Sequence, residues 1–228
     1  PDILFHMACF SGVSQSISDP VGTSANNIMS TSICLNFCSK NNVRRLVFSS
    51  SSSVYGLGGK LVSPYAFQKK SGEIECELYS RVYGLDTVSL RYFNVYHESR
   101  SVYGEGAPIV SNWVNSVLNG LSPYIEGDGE QRRDMVHLSD VIDANIYFGT
   151  INQNLNGEVI DIGTGENISV NEVKNICLQY KKVNFLHKQK RFGDIKISKA
   201  NLEAANRLGW TSKVKILDGL KKCFSILS

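Results

Sequence analysis

Short apolar runs at 2–8, 46–51 and 87–94 alternate with longer stretches of helical period at 25–41 and 65–82. Alternation of this kind predicts βαβ units closing on a parallel sheet. The first run, Asp2-Ile3-Leu4-Phe5-His6-Met7-Ala8, is continuous enough to read as a buried parallel strand, with His6 as a core histidine. A polar loop leads from it to Pro20, and Gly84 closes the second helix. Beyond a loop containing Gly104 and Gly106 the order loosens. The pattern there predicts helix 108–119, a short strand at 124–126, the turn Gly127-Asp128-Gly129, helix 139–150 and strand 159–162. Helices at 169–180, 199–208 and 215–227 complete the chain. This latter half reads as a small lobe packed on the sheet, lending loops to a cleft.

Composition narrows the classes. A chain of 228 residues with 42% hydrophobic content can bury a sizeable core. Its net charge of +3, with lysines and arginines scattered, argues against a nucleic-acid surface. Six cysteines without a C-x-x-C pair read as reduced, buried thiols rather than as a metal site. With no apolar run of membrane-spanning length and no signal peptide, the expected setting is the cytoplasm, with no membrane partner. Because Pro1 leads at once into a strand, we expect the chain to be the later part of a longer one.

The candidate chemistry lies around residues 46–69. Leu46-Val47-Phe48 runs into five serines, Ser49 to Ser53, so hydroxyls collect at the carboxyl end of a strand, where open parallel sheets place ligands. Downstream, Ser63 is a candidate N-cap and Pro64 a first helical residue. Tyr65 and Lys69, four apart, then share one helix face. A phenol with a pKa near ~10 is a poor base at neutral pH, but a neighbouring ammonium favours the phenolate. Tyr65 could thereby take a proton from a sugar hydroxyl, while a strand-end serine holds the reacting oxygen.

These features, with Leu90-Arg91-Tyr92-Phe93-Asn94-Val95-Tyr96 and Gly127-Asp128-Gly129-Glu130-Gln131-Arg132-Arg133-Asp134 following in order, resemble the extended short-chain dehydrogenase/reductases. The resemblance is closest to the NAD-dependent epimerase/dehydratase branch and its UDP-hexose 4-epimerases. It implies an α/β fold: a Rossmann-like doubly wound parallel sheet, here without its first βαβ unit and glycine loop, and a small carboxyl-terminal substrate lobe. Residues 1–104 would form the partial NAD-binding domain and 105–228 mainly the nucleotide-sugar lobe.

Carried over by position, the resemblance makes Tyr65, Lys69 and Ser51 catalytic, with Ser50 as the fallback hydroxyl. It places Met7, Ala8, Cys9, Phe10, Ser11, Asn26, Ser49, Ser50, Phe93 and the Tyr65/Lys69 pair along NAD. Ser51, Asn94, Pro108, Ile109, Tyr124, Arg133, Arg191, Asp194 and Ser198 would meet a UDP-sugar. A small residue at 198 leaves room for an N-acetyl group. Dehydratase relatives follow the strand with a threonine and two acidic residues; serines stand here, which favours C4 inversion through a 4-keto sugar. A homodimer through helices 25–41 and 65–82 is also implied. A non-catalytic interaction remnant and a same-fold dehydratase, reductase or decarboxylase are the alternatives.

Overall fold

The computed structural model describes residues 1–98, 108–190 and 195–228. In chain order the elements are β1 (Ile3–His6), α1 (Val13–Ser18), α2 (Pro20–Lys40), β2 (Arg45–Ser51), α3 (Pro64–Tyr83), β3 (Asp86–Tyr92) and β4 (Asn94–Tyr96). They continue with α4 (Ile109–Leu118), β5 (Tyr124–Glu126), β6 (Arg132–Arg133), β7 (Met135–His137), α5 (Leu138–Thr150) and β8 (Glu158–Ile162). Last come β9 (Ile168–Ser169), α6 (Val170–Tyr180), β10 (Leu186–Lys188), α7 (Glu203–Arg207) and α8 (Ile216–Phe224).

The main sheet is parallel throughout, in the order β1-β2-β3-β8. Strand β2 is buried on both faces because its side chains feed two cores in alternation. Leu46 and Phe48 point to the α2/α3 side with Leu35, Cys38 and Cys76. Val47 points the other way, toward Ala144 and Phe148 of α5. Each such side chain removed from water contributes about 1.5–3 kcal/mol. Close approach of α3 to the sheet requires Gly72, where an added Cβ would run into the Phe48 ring. A third core, built around Tyr96, Trp113, Ile125, Cys177 and Phe224, holds the carboxyl-terminal lobe together. Strand β8, from the second half of the chain, returns to the main sheet.

Several boundaries differ from the sequence reading. The loop before Pro20 contains α1, and α2 begins at Pro20 rather than near 25, because Asp19 caps it by accepting from the Gly22 N–H. The run at 87–94 breaks at Phe93: β3 stays in the main sheet, while β4 leaves to pair with β7. Strand β1 is not fully buried, since among the described residues it pairs only with β2 and Phe5 is 40% exposed. The helix expected at 199–208 shortens to α7, and α8 ends in a 3-10 turn over Ser225–Leu227.

One buried ion pair had no sequence signal. Arg45, 1% exposed, donates to Asp86 at 2.6 Å and to the carbonyls of Phe148, Ile151 and Gln153 at 2.7, 3.0 and 2.5 Å. The cation satisfies carbonyls that the end of α5 leaves without helical partners, and so pins that helix to β2.

Candidate active site

Three elements converge at the carboxyl end of the main sheet. Helix α3 starts where it does because Ser63 accepts from the Ala66 N–H at 3.1 Å and Pro64 sits at the first helical position. The Tyr65 N–H, one of the helix's unpartnered donors, goes to Ser16 Oγ of α1 at 3.1 Å. Tyr65 and Lys69 are thereby held on the buried face, 9% and 4% exposed. The serine run ends β2 beside them, with Ser51 paired to Tyr92 in the ladder.

The three serines do different things. Ser51 lies beside Tyr65, where its hydroxyl favours the phenolate, and its Oγ accepts from the Ser53 N–H at 3.2 Å. Ser50 donates to Glu73 at 2.6 Å, and that carboxylate also takes a bidentate pair from Arg91 at 2.7 and 2.8 Å. This commits Ser50 to the protein interior, against its reading as a fallback catalytic hydroxyl. Ser49 shares a hydrogen bond with the Tyr92 hydroxyl at 3.0 Å, and its carbonyl receives the Lys69 ammonium at 2.6 Å.

The electrostatics overturn one expectation. Lys69 does not acidify Tyr65 here: burial, first, and the proximity of Cys9, second, push the phenol up to about 12 against the hydrogen bond from Ser51. Lys69 Nζ stands 5.8 Å from the Tyr65 ring centre, and burial lowers its own pKa while a hydrogen bond to Cys9 opposes the shift. Spacing alone could not reveal this, because the loss of water around both groups is a property of the folded cleft.

The segment Met7, Ala8, Cys9, Phe10 and Ser11 follows β1 along the same crevice, with Ala8 exposed and Cys9 beside Lys69. Asn26 donates to Asn27 at 3.1 Å. His6 is buried and shares a hydrogen bond with Thr31 at 3.0 Å, and burial lowers its pKa. Phe93 is buried with its N–H on the Ile162 carbonyl at 3.0 Å and its ring 6.2 Å from that of Tyr55.

Beyond Phe93 a cavity of about 320 Å³ opens among β4, α4, β5 and the segment 131–135. Asn94, Pro108, Ile109, Tyr124 and Arg133 line it, together with Asn112, Trp113 and Gln131, which the sequence reading did not single out. Asn94 donates to the Asp134 carbonyl at 2.7 Å, and its amide is 3.4 Å from Ser198 Oγ. Arg133 donates to the Ile195 carbonyl at 2.6 Å. Asp134 collects the N–H groups of Thr164, Gly165 and Ala200, tying the strand that carries Arg133 to two loops. Arg191 and Asp194 lie outside the described residues. Among the described residues there is no His/Cys/Asp/Glu group able to hold a metal, and no helix is long and apolar enough to cross a membrane.

Known proteins share this fold. A profile of the NAD dependent epimerase/dehydratase family matches residues 1–163. A putative UDP-glucose 4-epimerase of Methanocaldococcus jannaschii is 32% identical over 236 residues, spanning 97% of this chain and 75% of that protein. The solved UDP-N-acetylglucosamine 4-epimerase of Methanobrevibacter ruminantium, in complex with UDP-N-acetylmuramic acid, matches with a TM-score of 0.89. It is 30% identical and covers 98% of this chain and 75% of that one. UDP-glucose 4-epimerase of Thermus thermophilus, in complex with NAD, matches with a TM-score of 0.87 at 28% identity, covering 98% of this chain and 78% of that one.

Proposed function

The chain belongs to the NAD dependent epimerase/dehydratase family, and from that membership we propose that it inverts C4 of a UDP-hexose or UDP-N-acetylhexosamine through a transient 4-keto sugar. The observation that carries the reading is the placement of Tyr65 beside Ser51 at the carboxyl end of β2, with Lys69 one helical turn away on the same buried face and tied to the Ser49 carbonyl at 2.6 Å.

The cofactor is NAD, which when bound supplies a hydride acceptor and, in its oxidised form, a positive charge. The residues present suit its nicotinamide end. A buried ammonium has three donors; the Ser49 carbonyl engages one of those on Lys69, Cys9 lies beside it, and a remaining donor suits a ribose hydroxyl. Ser51 orients the sugar hydroxyl, and Tyr65 accepts its proton and later returns it. Arg133, a fork-shaped donor that keeps its charge, suits the diphosphate, and the Tyr124 ring suits the base. Ser198 beside Asn94 presents a small side chain toward the sugar, which supports room for an acetamido group.

Helices α2 and α3 leave Met29, Ile33 and Phe37 and Phe67, Ile74 and Leu78 exposed. Apolar stripes on neighbouring helices support a homodimer through this face. Six free thiols suit a reducing cytoplasm.

The test is a panel of UDP-sugars given to the full protein with NAD. C4 inversion with no net change in reduced cofactor supports the reading. Release of carbon dioxide would indicate a decarboxylase, net consumption of reduced cofactor a reductase, loss of water a dehydratase, and the absence of any turnover a binding module.

A further inference from the structure

Gln68 lies on α3 between Tyr65 and Lys69 and has no part in the chemistry above. It is 2% exposed and meets three side chains of α2. Its Oε1 accepts from Asn27 Nδ2 at 2.7 Å, and its Nε2 donates to Thr23 Oγ1 and Ser24 Oγ, each at 3.0 Å. Asn27 continues the connection to the loop after β1. Its Oδ1 accepts from the Phe10 N–H at 2.8 Å, and its Nδ2 donates to the Phe10 carbonyl at 3.0 Å. One side chain thus holds both backbone groups of Phe10, as a neighbouring strand would.

A single backbone group sets the polarity of the whole array. The Phe10 N–H can only donate, so the Asn27 oxygen must face it and the Asn27 nitrogen must face the Phe10 carbonyl and Gln68. Gln68 must then present oxygen to Asn27 and both of its N–H bonds to hydroxyls. Thr23 passes its own proton to the Asp19 carbonyl at 2.8 Å. With the Asn26 amide on Asn27 Oδ1, both protons of each amide nitrogen and both lone pairs of Asn27 Oδ1 have partners.

We propose that Gln68 and Asn27 are positioning residues that hold Met7–Phe10 at a set distance from Tyr65 and Lys69. The inference rests on the reading of Tyr65 and Lys69 as the hydride-transfer pair and of the loop as the cofactor's neighbour. Lys69 lies beside the same loop at Cys9, and Gln68 is tied to the next residue, Phe10, through Asn27 of α2, by contacts that involve no ionisable group. A loop adrift by about 1 Å would cost on the order of 100-fold in rate.

Gln68→Met keeps the volume and removes all three hydrogen bonds. The proposal expects two effects in folded protein. Hydrogen exchange at the Phe10 amide, which Gln68 does not touch, quickens about tenfold, the equivalent of one net hydrogen bond. Turnover falls about tenfold or more with the KM for UDP-sugar unchanged. Gln68→Glu keeps an acceptor for Asn27 and can take the Ser24 proton, so it restores part of both. Parental exchange at Phe10, or parental turnover, in folded Gln68→Met protein overturns the proposal. If that variant does not fold, Ser24→Ala, which frees one N–H of Gln68, should move both readouts several-fold in the same directions; unmoved values there overturn it equally. Tyr65→Phe serves as the control. Turnover surviving that change sinks the catalytic reading, whereas the exchange result at Phe10 stands apart from it.

Discussion

Lys69 Nζ donates to the carbonyl oxygen of Ser49 at 2.6 Å. The strand end, rather than the phenol of Tyr65, is where this cation rests, and the bond ties α3 to β2 at the cleft. A Lys69→Met substitution removes that tie along with a buried charge, so both cofactor retention and turnover should fall.

Tyr65 in the free protein should remain a phenol well into the alkaline range, because burial, then Cys9, raises its pKa to about 12. An ultraviolet difference titration of the parent against Tyr65→Phe measures this directly. The expected outcome is no ionisation assignable to Tyr65 below about pH 10, the usual value for tyrosine, and a downward shift when NAD adds its positive charge. Cys9→Ala removes a contribution that raises the pKa, so the Tyr65 titration and the rising acid limb of the rate profile should both move to lower pH. Tyr65→Phe should lower turnover by about 10²–10⁴-fold.

Neighbouring serines should give opposite phenotypes. Ser51→Ala removes the hydroxyl on Tyr65 and should cut turnover by about 10²-fold with little change in stability. Ser50→Ala leaves Glu73 short of a donor in the interior and should destabilise by about 1–3 kcal/mol, measured by urea unfolding, while the folded enzyme stays active. Equal activity losses in the two variants would contradict the division of labour described for the run.

Acid should attack the Glu73 cluster. Burial by itself raises the pKa of Glu73, but Arg91, Ser50 and Lys70 together hold it below its ordinary value of 4.5. A carboxylate with a lowered folded pKa stabilises above its unfolded pKa, and that stability is lost as pH falls through the folded value. Unfolding free energy should therefore decline below about pH 4.5. In Glu73→Gln the parent's advantage at neutral pH should narrow over the same range.

Arg45→Met should cost about 3–5 kcal/mol, because it strands Asp86 and the carbonyls at the end of α5. Chemical unfolding measures the loss. The cleft lies at the opposite end of β2, so the NAD affinity of the folded fraction should be unchanged.

Much of this molecule was readable along the chain because the signals involved are local. The apolar runs at 46–51 and 87–94, the Ser63-Pro64 helix start and the four-residue step from Tyr65 to Lys69 each depend on a few adjacent residues, and each recurs in β2, β3 and α3. Even there, Asp19-Pro20 is as good a start signal as Ser63-Pro64, and α2 begins at it rather than near 25, where its apolar period sets in. Other properties required chain segments far apart to meet. Which serine faces the cleft depends on Glu73 and Arg91 claiming Ser50. The pKa of Tyr65 depends on how much water the closed crevice leaves around it, and the spacing to Lys69 contains no such information. The asparagine that grips Phe10 is 17 residues away from it. Helical and strand periods are written in neighbouring residues, whereas desolvation and the choice among competing hydrogen-bond partners exist only once distant segments have packed together.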